Sequence, residues 1–279
     1  MALKRLLLAL LLFITANTVS AARFDHHIWD GLLREHVYMI NQGRASQVNY
    51  YGFALNHGVL QTYLSQLSAL KESDFSDWDK SEQLAFLINA YNAFTVESIL
   101  RSYSSIATLR AYAPVTIGWE NRLISMLKNQ RKINFIFLFG ETLSLNDIEH
   151  GMIRKPGNYN EPRIHFAINR ASIGCPALRN RAYTGMELEE QLEAATRAFL
   201  SDRSRNRYNE ETGKLEVSEI FDWYTEDFER GWQGWYSLAQ FFAHYRDSLA
   251  DTPDVKELLT TGNAEIRFLD FNWMINEKQ

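Results

Sequence analysis

The sequence predicts an α+β domain, with several helices packed around a small, mainly antiparallel sheet. Three observations carry that expectation. Capped stretches at 79–103 and 184–201 repeat apolar residues at helical spacing. The segment RYNEETGKLEV, 207–217, reads as a strand, a turn and a strand. RIHFAIN, 163–169, alternates Ile164, Phe166 and Ile168 with Arg163, His165 and Ala167, as a half-buried strand does.

The elements follow in order. MALKRLLLALLLFITANTVSAA has a basic start at Lys4 and Arg5, an apolar run and a small-residue end, the pattern of a secretory signal peptide cut after Ala21 or one residue later. The apolar run is shorter than the roughly 20 residues of a membrane span. Cleavage leaves 258 residues carrying 27 basic and 34 acidic side chains. The expected organisation is therefore a signal peptide at 1–21, a helical extension at 22–70 and a main domain at 71–279, the last two packed as one unit. In the extension, Asp30 to Met39 and Leu60, Leu64 and Leu67 are periodic, joined by the connection NQGRASQVNYYGF.

Asp79 can cap the next helix, with Glu82 at the third position, and this helix is apolar around much of its circumference. INFIFLFG, 133–140, is either a short strand or the end of a core helix. Ser144 and Asp147 have capping-box spacing ahead of DIEHGMIR. Cys175-Pro176 suits a helix start, with Pro at the first helical position and Cys at the cap. Thr184 and Glu187 form another capping box before a helix at 185–201. Ser218 can cap EIFDWYTEDF, an aromatic helix follows at about 235–249, and IRFLDFNWMIN reads as a strand.

Composition narrows the function classes. Of 279 residues, 46% are hydrophobic and only 14 are Gly and 5 Pro, so the chain can bury a core. The net charge of -5 gives no support for binding nucleic acid or an anionic membrane. The single Cys excludes an intrachain disulfide, a CxxC redox pair and a Cys-based structural zinc site. Phosphate-loop and dinucleotide glycine patterns are absent, and no cofactor is expected.

Three blocks, FLINAYNAFTVESIL (86–100), LNDIEHGMIRKP (145–156) and PRIHFAINRASIGCPALRNRAY (162–183), resemble the domain-of-unknown-function family DUF547. Weaker agreement follows in VSEIFDWYTEDF and FLDFNWMIN. The family's recurrent polar positions match Asn89, Tyr91, Asn92, Glu149, His150, Arg154, His165 and Cys175. The family also bears a distant resemblance to papain- and transglutaminase-like thiol enzymes, although Cys follows His here.

These residues suggest chemistry, each with a structural alternative. A helix N-terminus would stabilise a Cys175 thiolate as nucleophile; otherwise Cys175 fills core space. His165 on a strand could serve as its base, or be a hydrogen-bonded structural residue. His150 and Arg154, four apart with Asp147 nearby, form either a helix-anchoring charge network or a site. In the site reading, His150 acts as base and Arg154, with Tyr91, binds an anionic substrate. Asn89 and Asn92 either stabilise an oxyanion or bridge helix to loop backbone. Glu149 completes the catalytic set. His150, His165, Glu149 and Cys175 carry metal-donor atoms, but no metal motif joins them. Trp223, Trp232 and Trp235 pack as core or form an aromatic wall for a sugar.

The leading expectation is an exported thiol-dependent hydrolase or acyltransferase acting on an amide or thioester, in the periplasm or secreted. The alternatives are a non-catalytic envelope domain that binds a peptide or glycan, and a metal-dependent hydrolase.

Overall fold

A 22-residue helix organises the first half of the protein. In the computed structural model, which describes residues 23–106 and 119–278, helices α1 (His27–His36), α2 (Tyr50–Leu55), α3 (His57–Ala69) and α4 (Glu72–Ser76) precede α5 (Lys80–Arg101). The expected signal segment lies outside the described residues. The Asp79 side chain accepts the Glu82 N–H at 2.8 Å, which caps α5 as its sequence suggests. Every residue from Glu82 to Ile99 is buried, so α5 runs through the core.

The connection in the extension is a β-hairpin, β1 (Val37–Ile40) with β2 (Ala45–Val48). The extension is bonded to distant chain: Asp30 accepts the Ala182 N–H, Ser46 the Leu178 N–H, and Tyr50 donates to Asn276. Trp29 stacks on Tyr63 at 5.9 Å within the same apolar cluster as α5.

After α6 (Trp119–Gln130), INFIFLFG supplies β3 (Ile136–Leu138), paired antiparallel with β4 (Glu141–Leu143). The segment Asp147–Ile153 is helical as expected, but wound as a π-helix. The expected strand at 163–169 is instead a 3-10 turn, Pro162–Phe166, started by Pro162 and by Glu161, which accepts the Arg163 N–H. Its alternation misleads because both faces are buried. Arg163 is buried through ion pairs with Glu161, Glu189 and Glu193.

No helix follows Cys175-Pro176; residues 176–184 are irregular, and a 3-10 turn at Gly185–Glu187 leads into α7 (Leu188–Leu200). The Thr184 side chain makes no cap; Gln191 accepts the Thr184 N–H in its place. The predicted hairpin is β5 (Arg207–Asn209) with β6 (Lys214–Ser218). Four short helices follow, α8 (Ile220–Trp223), α9 (Thr225–Phe228), α10 (Leu238–His244) and α11 (Arg246–Leu249), then α12 (Pro253–Thr260) and β7 (Glu265–Leu269). β7 pairs parallel to β6, whereas β1–β2, β3–β4 and β5–β6 are antiparallel. Phe166, Phe199, Phe221, Phe228 and Phe241 form the centre of a second apolar cluster. Among the described residues no helix is long and apolar enough to cross a membrane.

Gly185 lets the 162–188 stretch close onto the start of α5. A Cβ there would lie 2.8 Å from the Cα and from the amide nitrogen of Glu82, which are backbone and cannot swing aside. Gly185→Ala is therefore expected to cost about 1–3 kcal/mol in urea unfolding. A loss below about 0.5 kcal/mol would show that the two segments are not in close register.

Candidate functional site

The reciprocal bonds between Ser144 and Asp147 start the helical segment: Ser144 donates from N–H and hydroxyl to the Asp147 carboxylate, and Asp147 N–H donates to Ser144 Oγ. The π-winding then turns Glu149 into the core and leaves His150 exposed. Glu149 has no solvent exposure. Its Oε1 accepts from Arg170 at 2.6 Å and from the Tyr224 hydroxyl at 2.8 Å. Its Oε2 accepts from Arg131 at 2.7 Å and from the Tyr91 hydroxyl at 3.1 Å. Burial alone would raise the Glu149 pKa, but the Arg170 and Arg131 charges outweigh it and hold the carboxyl well below its usual range.

A second charged group lies against the first through Tyr224. The His165 ring stacks on the Tyr224 ring at 4.0 Å, and the Arg154 guanidinium lies 4.4 Å from the same ring. Asp227 accepts from His165 Nε2 at 2.7 Å and from Arg154 Nε at 2.5 Å, with Arg230 at 2.6 Å. Burial pushes the His165 pKa down to about 4, against the pull of Asp227. Asp227 is held at about 2, because the bonds from His165 and Arg154 outweigh its burial. His165 is therefore neutral near pH 7. With Nε2–H donating to Asp227, Nδ1 is a buried acceptor with no partner among the described residues.

Both groups reach solvent at one cleft of about 330 Å³. Arg131, His150 and Tyr224 line it. Trp223 and Trp273 form an aromatic wall, stacked 5.4 Å apart, with Lys128 Nζ 4.2 Å over the Trp273 ring. Among the described residues, the buried Asn146 Oδ1 at the cleft has no partner and Glu219 is the one acidic side chain lining it. Two cationic side chains against one carboxylate, beside flat indoles, favour an anionic ligand with a ring or apolar face.

The eight sequence-derived candidates divide into three groups. Glu149, Tyr91, His150, Arg154 and His165 belong to the two charged groups. Of these, His150 reaches the cleft, its Nδ1 2.7 Å from Arg154 Nη1. Arg154 is engaged by Asp227 and Glu226, so its fork is already occupied by carboxylates. Asp147 does not join that network; Ser144 takes it.

Asn89 and Asn92 bridge helix to loop. The Asn89 amide exchanges two bonds with the Tyr183 backbone. Asn92 donates to Ala167 O and accepts the Asn169 N–H. They pin the 162–183 segment to α5.

Cys175 stands apart. It is 3% exposed, and its Sγ accepts the Arg170 N–H at 3.2 Å. The helix N-terminus expected beneath it is missing, and burial raises its pKa although Arg170 pulls the other way. Among the described residues no hydrogen bond joins its sulfur to a histidine, and no three His, Cys, Asp or Glu side chains are grouped to hold a metal. Trp223 is the one residue of the proposed aromatic wall at this cleft; Trp232 and Trp235 pack on each other and on Phe241.

The sequence reading missed Arg131, Arg170, Tyr224 and Asp227. Glu149 and Arg170 are 21 residues apart and His165 and Asp227 are 62 apart, and no periodicity links such pairs.

Residues 75–200 match the model of the family described as protein of unknown function, DUF547. No curated protein and no solved structure matches the chain, and nothing ties it to papain- or transglutaminase-like enzymes.

Glu149→Gln would leave Arg131 and Arg170 facing each other without a counter-charge. It should cost about 3–5 kcal/mol in chemical unfolding; a cost under 1 kcal/mol would contradict the network. His165 and His26 supply a pH signature, since burial pushes His26 to about 4 as well. Unfolded, each titrates near 6.5. Between those values the unfolded chain binds more protons, so stability is full above pH 6.5 and falls as pH drops towards 4. The loss should reach the order of 3 kcal/mol for each. Stability that stays flat from pH 7 to 4 would refute it.

Proposed function

We propose that this chain is an exported envelope domain that binds an anionic glycan or peptide in the His150 cleft. One observation carries the reading: the buried charged groups open to solvent at a cleft with two cations and a stacked tryptophan pair, while the thiol is shut in the core. The indoles offer a face for a sugar ring or apolar side chain, and Lys128 and Arg131 offer charge for a carboxylate. The amino-terminal signal pattern supports a periplasmic or secreted location, where such ligands occur.

A second reading, the thiol-dependent hydrolase or acyltransferase, keeps one favourable observation. Cys175 Sγ accepts a backbone N–H, and the Arg170 and Arg131 charges favour its thiolate. Against it, the sulfur is buried, and burial outweighs those charges.

One pair of measurements separates the readings. Titration with N-acetylmuramic acid and with a short muropeptide should give saturable quenching of tryptophan fluorescence. Lys128→Ala should weaken that binding at least tenfold, while Cys175→Ala leaves it within twofold. In the folded protein, iodoacetamide at pH 7.5 should modify Cys175 at least a hundredfold more slowly than in urea. Rapid alkylation of the folded protein, or the absence of saturable quenching, would overturn the binding reading.

A further inference from the structure

The surface of α2 and α3 differs from the rest of this acidic molecule. Residues 45–70 contain no Asp, Glu, Lys or Arg, in a chain where 23% of residues are charged, and both helices fall inside that stretch. They nearly run into one another: the Asn56 N–H donates to Gly52 O, and Asn56 O accepts the Leu60 N–H. Their inner face, with Phe53, Leu60, Tyr63, Leu64 and Leu67, is buried. Helical spacing places Tyr51, Leu55, Gly58, Thr62, Ser65 and Ala69 together on the opposite face. One end of that face is a large apolar ridge: Tyr51, Leu55 and Val59 are 62%, 70% and 47% exposed. The other end is hollow, where a groove of about 490 Å³ runs along α3 from Gly58 to Ala69.

We propose that a second copy of the chain docks on this face, related by a two-fold axis near residues 59 and 60. Ridge and groove follow one line. Turning one copy end for end therefore sets the ridge of each copy into the groove of the other. The inference is independent of the His150 cleft and its ligand.

Charge favours the same occupant. The net charge of -5 makes two copies repel over most approaches, and an uncharged face lowers that repulsion. Charged groups meet the face at its margins: Glu35 accepts from Asn56, and Glu97, paired with Arg101, accepts from His57.

The groove is also ready to be covered. Thr62 Oγ1 donates to Gly58 O and Ser65 Oγ to Gln61 O, so burying these hydroxyls strands no donor. Gly58 answers no steric need inside its own copy, since a Cβ there would meet nothing within 4 Å. Glycine weakens a helix relative to alanine; here it deepens the groove.

Size sets the strength. The stretch from Tyr50 to Ala69 spans about 30 Å of helix. A strip of that length covers roughly 400–500 Å² of each copy, below the ~800 Å² per partner of a standard interface. The dimer should therefore be weak, with a Kd on the order of 10–100 µM.

The test is sedimentation velocity of the purified protein from about 1 to 500 µM, where a monomer–dimer equilibrium is expected. Leu55→Glu, at an exposed position, should weaken it more than tenfold and leave the urea midpoint unchanged. Ser65→Lys should do the same from the groove. An equimolar mixture of the two variants should associate at least threefold more tightly than either alone, because the end-for-end register brings the two new charges together. Should Leu55→Glu fail to fold, Tyr51→Glu with Ala69→Lys serves as the equivalent pair. Monomers at every concentration would overturn the proposal, since the face would then meet water or a different partner. A dimer that both variants leave intact would overturn it too, by placing the contact elsewhere. So would a mixture no tighter than its components, because the copies would not be turned end for end.

Discussion

One buried carboxylate governs the arrangement of this domain. Glu149 has no access to solvent, so its charge must be met entirely from within the protein. Arg170, Arg131, Tyr91 and Tyr224 meet it, and they come from four separate parts of the chain. Tyr91 stands on α5, Arg131 follows α6, Arg170 lies in the irregular stretch after the 3-10 turn, and Tyr224 lies between α8 and α9. Satisfying this one group fixes where those parts sit relative to one another. Replacing the set with apolar residues could be as stable, but removing a single member leaves a stranded charge.

The same constraint shapes the solvent-facing chemistry. Arg131 and Arg170 share the Glu149 carboxylate, and Arg131 is the one of the two that also lines the cleft. Tyr224 links the inner and outer parts, with its hydroxyl on Glu149 and its ring against His165 and Arg154. The thiol takes a supporting place. Cys175 Sγ accepts the Arg170 N–H, and its carbonyl accepts from Arg205, so this residue helps to hold the turn that carries Arg170.

The parts of the fold that could be read from sequence are those specified locally. The Asp79 cap, the apolar girth of α5, the Ser144–Asp147 pairing and the 207–217 hairpin each depend on residues within a few positions. The α+β class follows from them. The strand expected at 163–169 was illegible because its charged residues are buried by remote partners: Arg163 reaches Glu189, and His165 reaches Asp227. Alternation of apolar and charged residues resembles a half-exposed strand only while those charges are assumed to face water. Cys175-Pro176 has the local signature of a helix start, yet tertiary bonds claim the segment instead: Asn169 binds Pro176 O and Ser46 binds the Leu178 N–H. At the candidate site, Glu149, His150, His165 and Tyr91 were legible as polar residues. Their partners Arg131, Arg170, Tyr224 and Asp227 were not, since pairing over such sequence distances leaves no spacing signal.

The most direct test of the central role of Glu149 is a double-mutant cycle in urea unfolding with Glu149→Gln, Arg170→Met and the two together. If the pair is the constraint on which the fold depends, each single change costs several kcal/mol. The double change should then cost less than their sum by about 2–3 kcal/mol, the size of a strong pairwise coupling. Costs that add to within about 0.5 kcal/mol would contradict the account, because the two groups would then contribute independently.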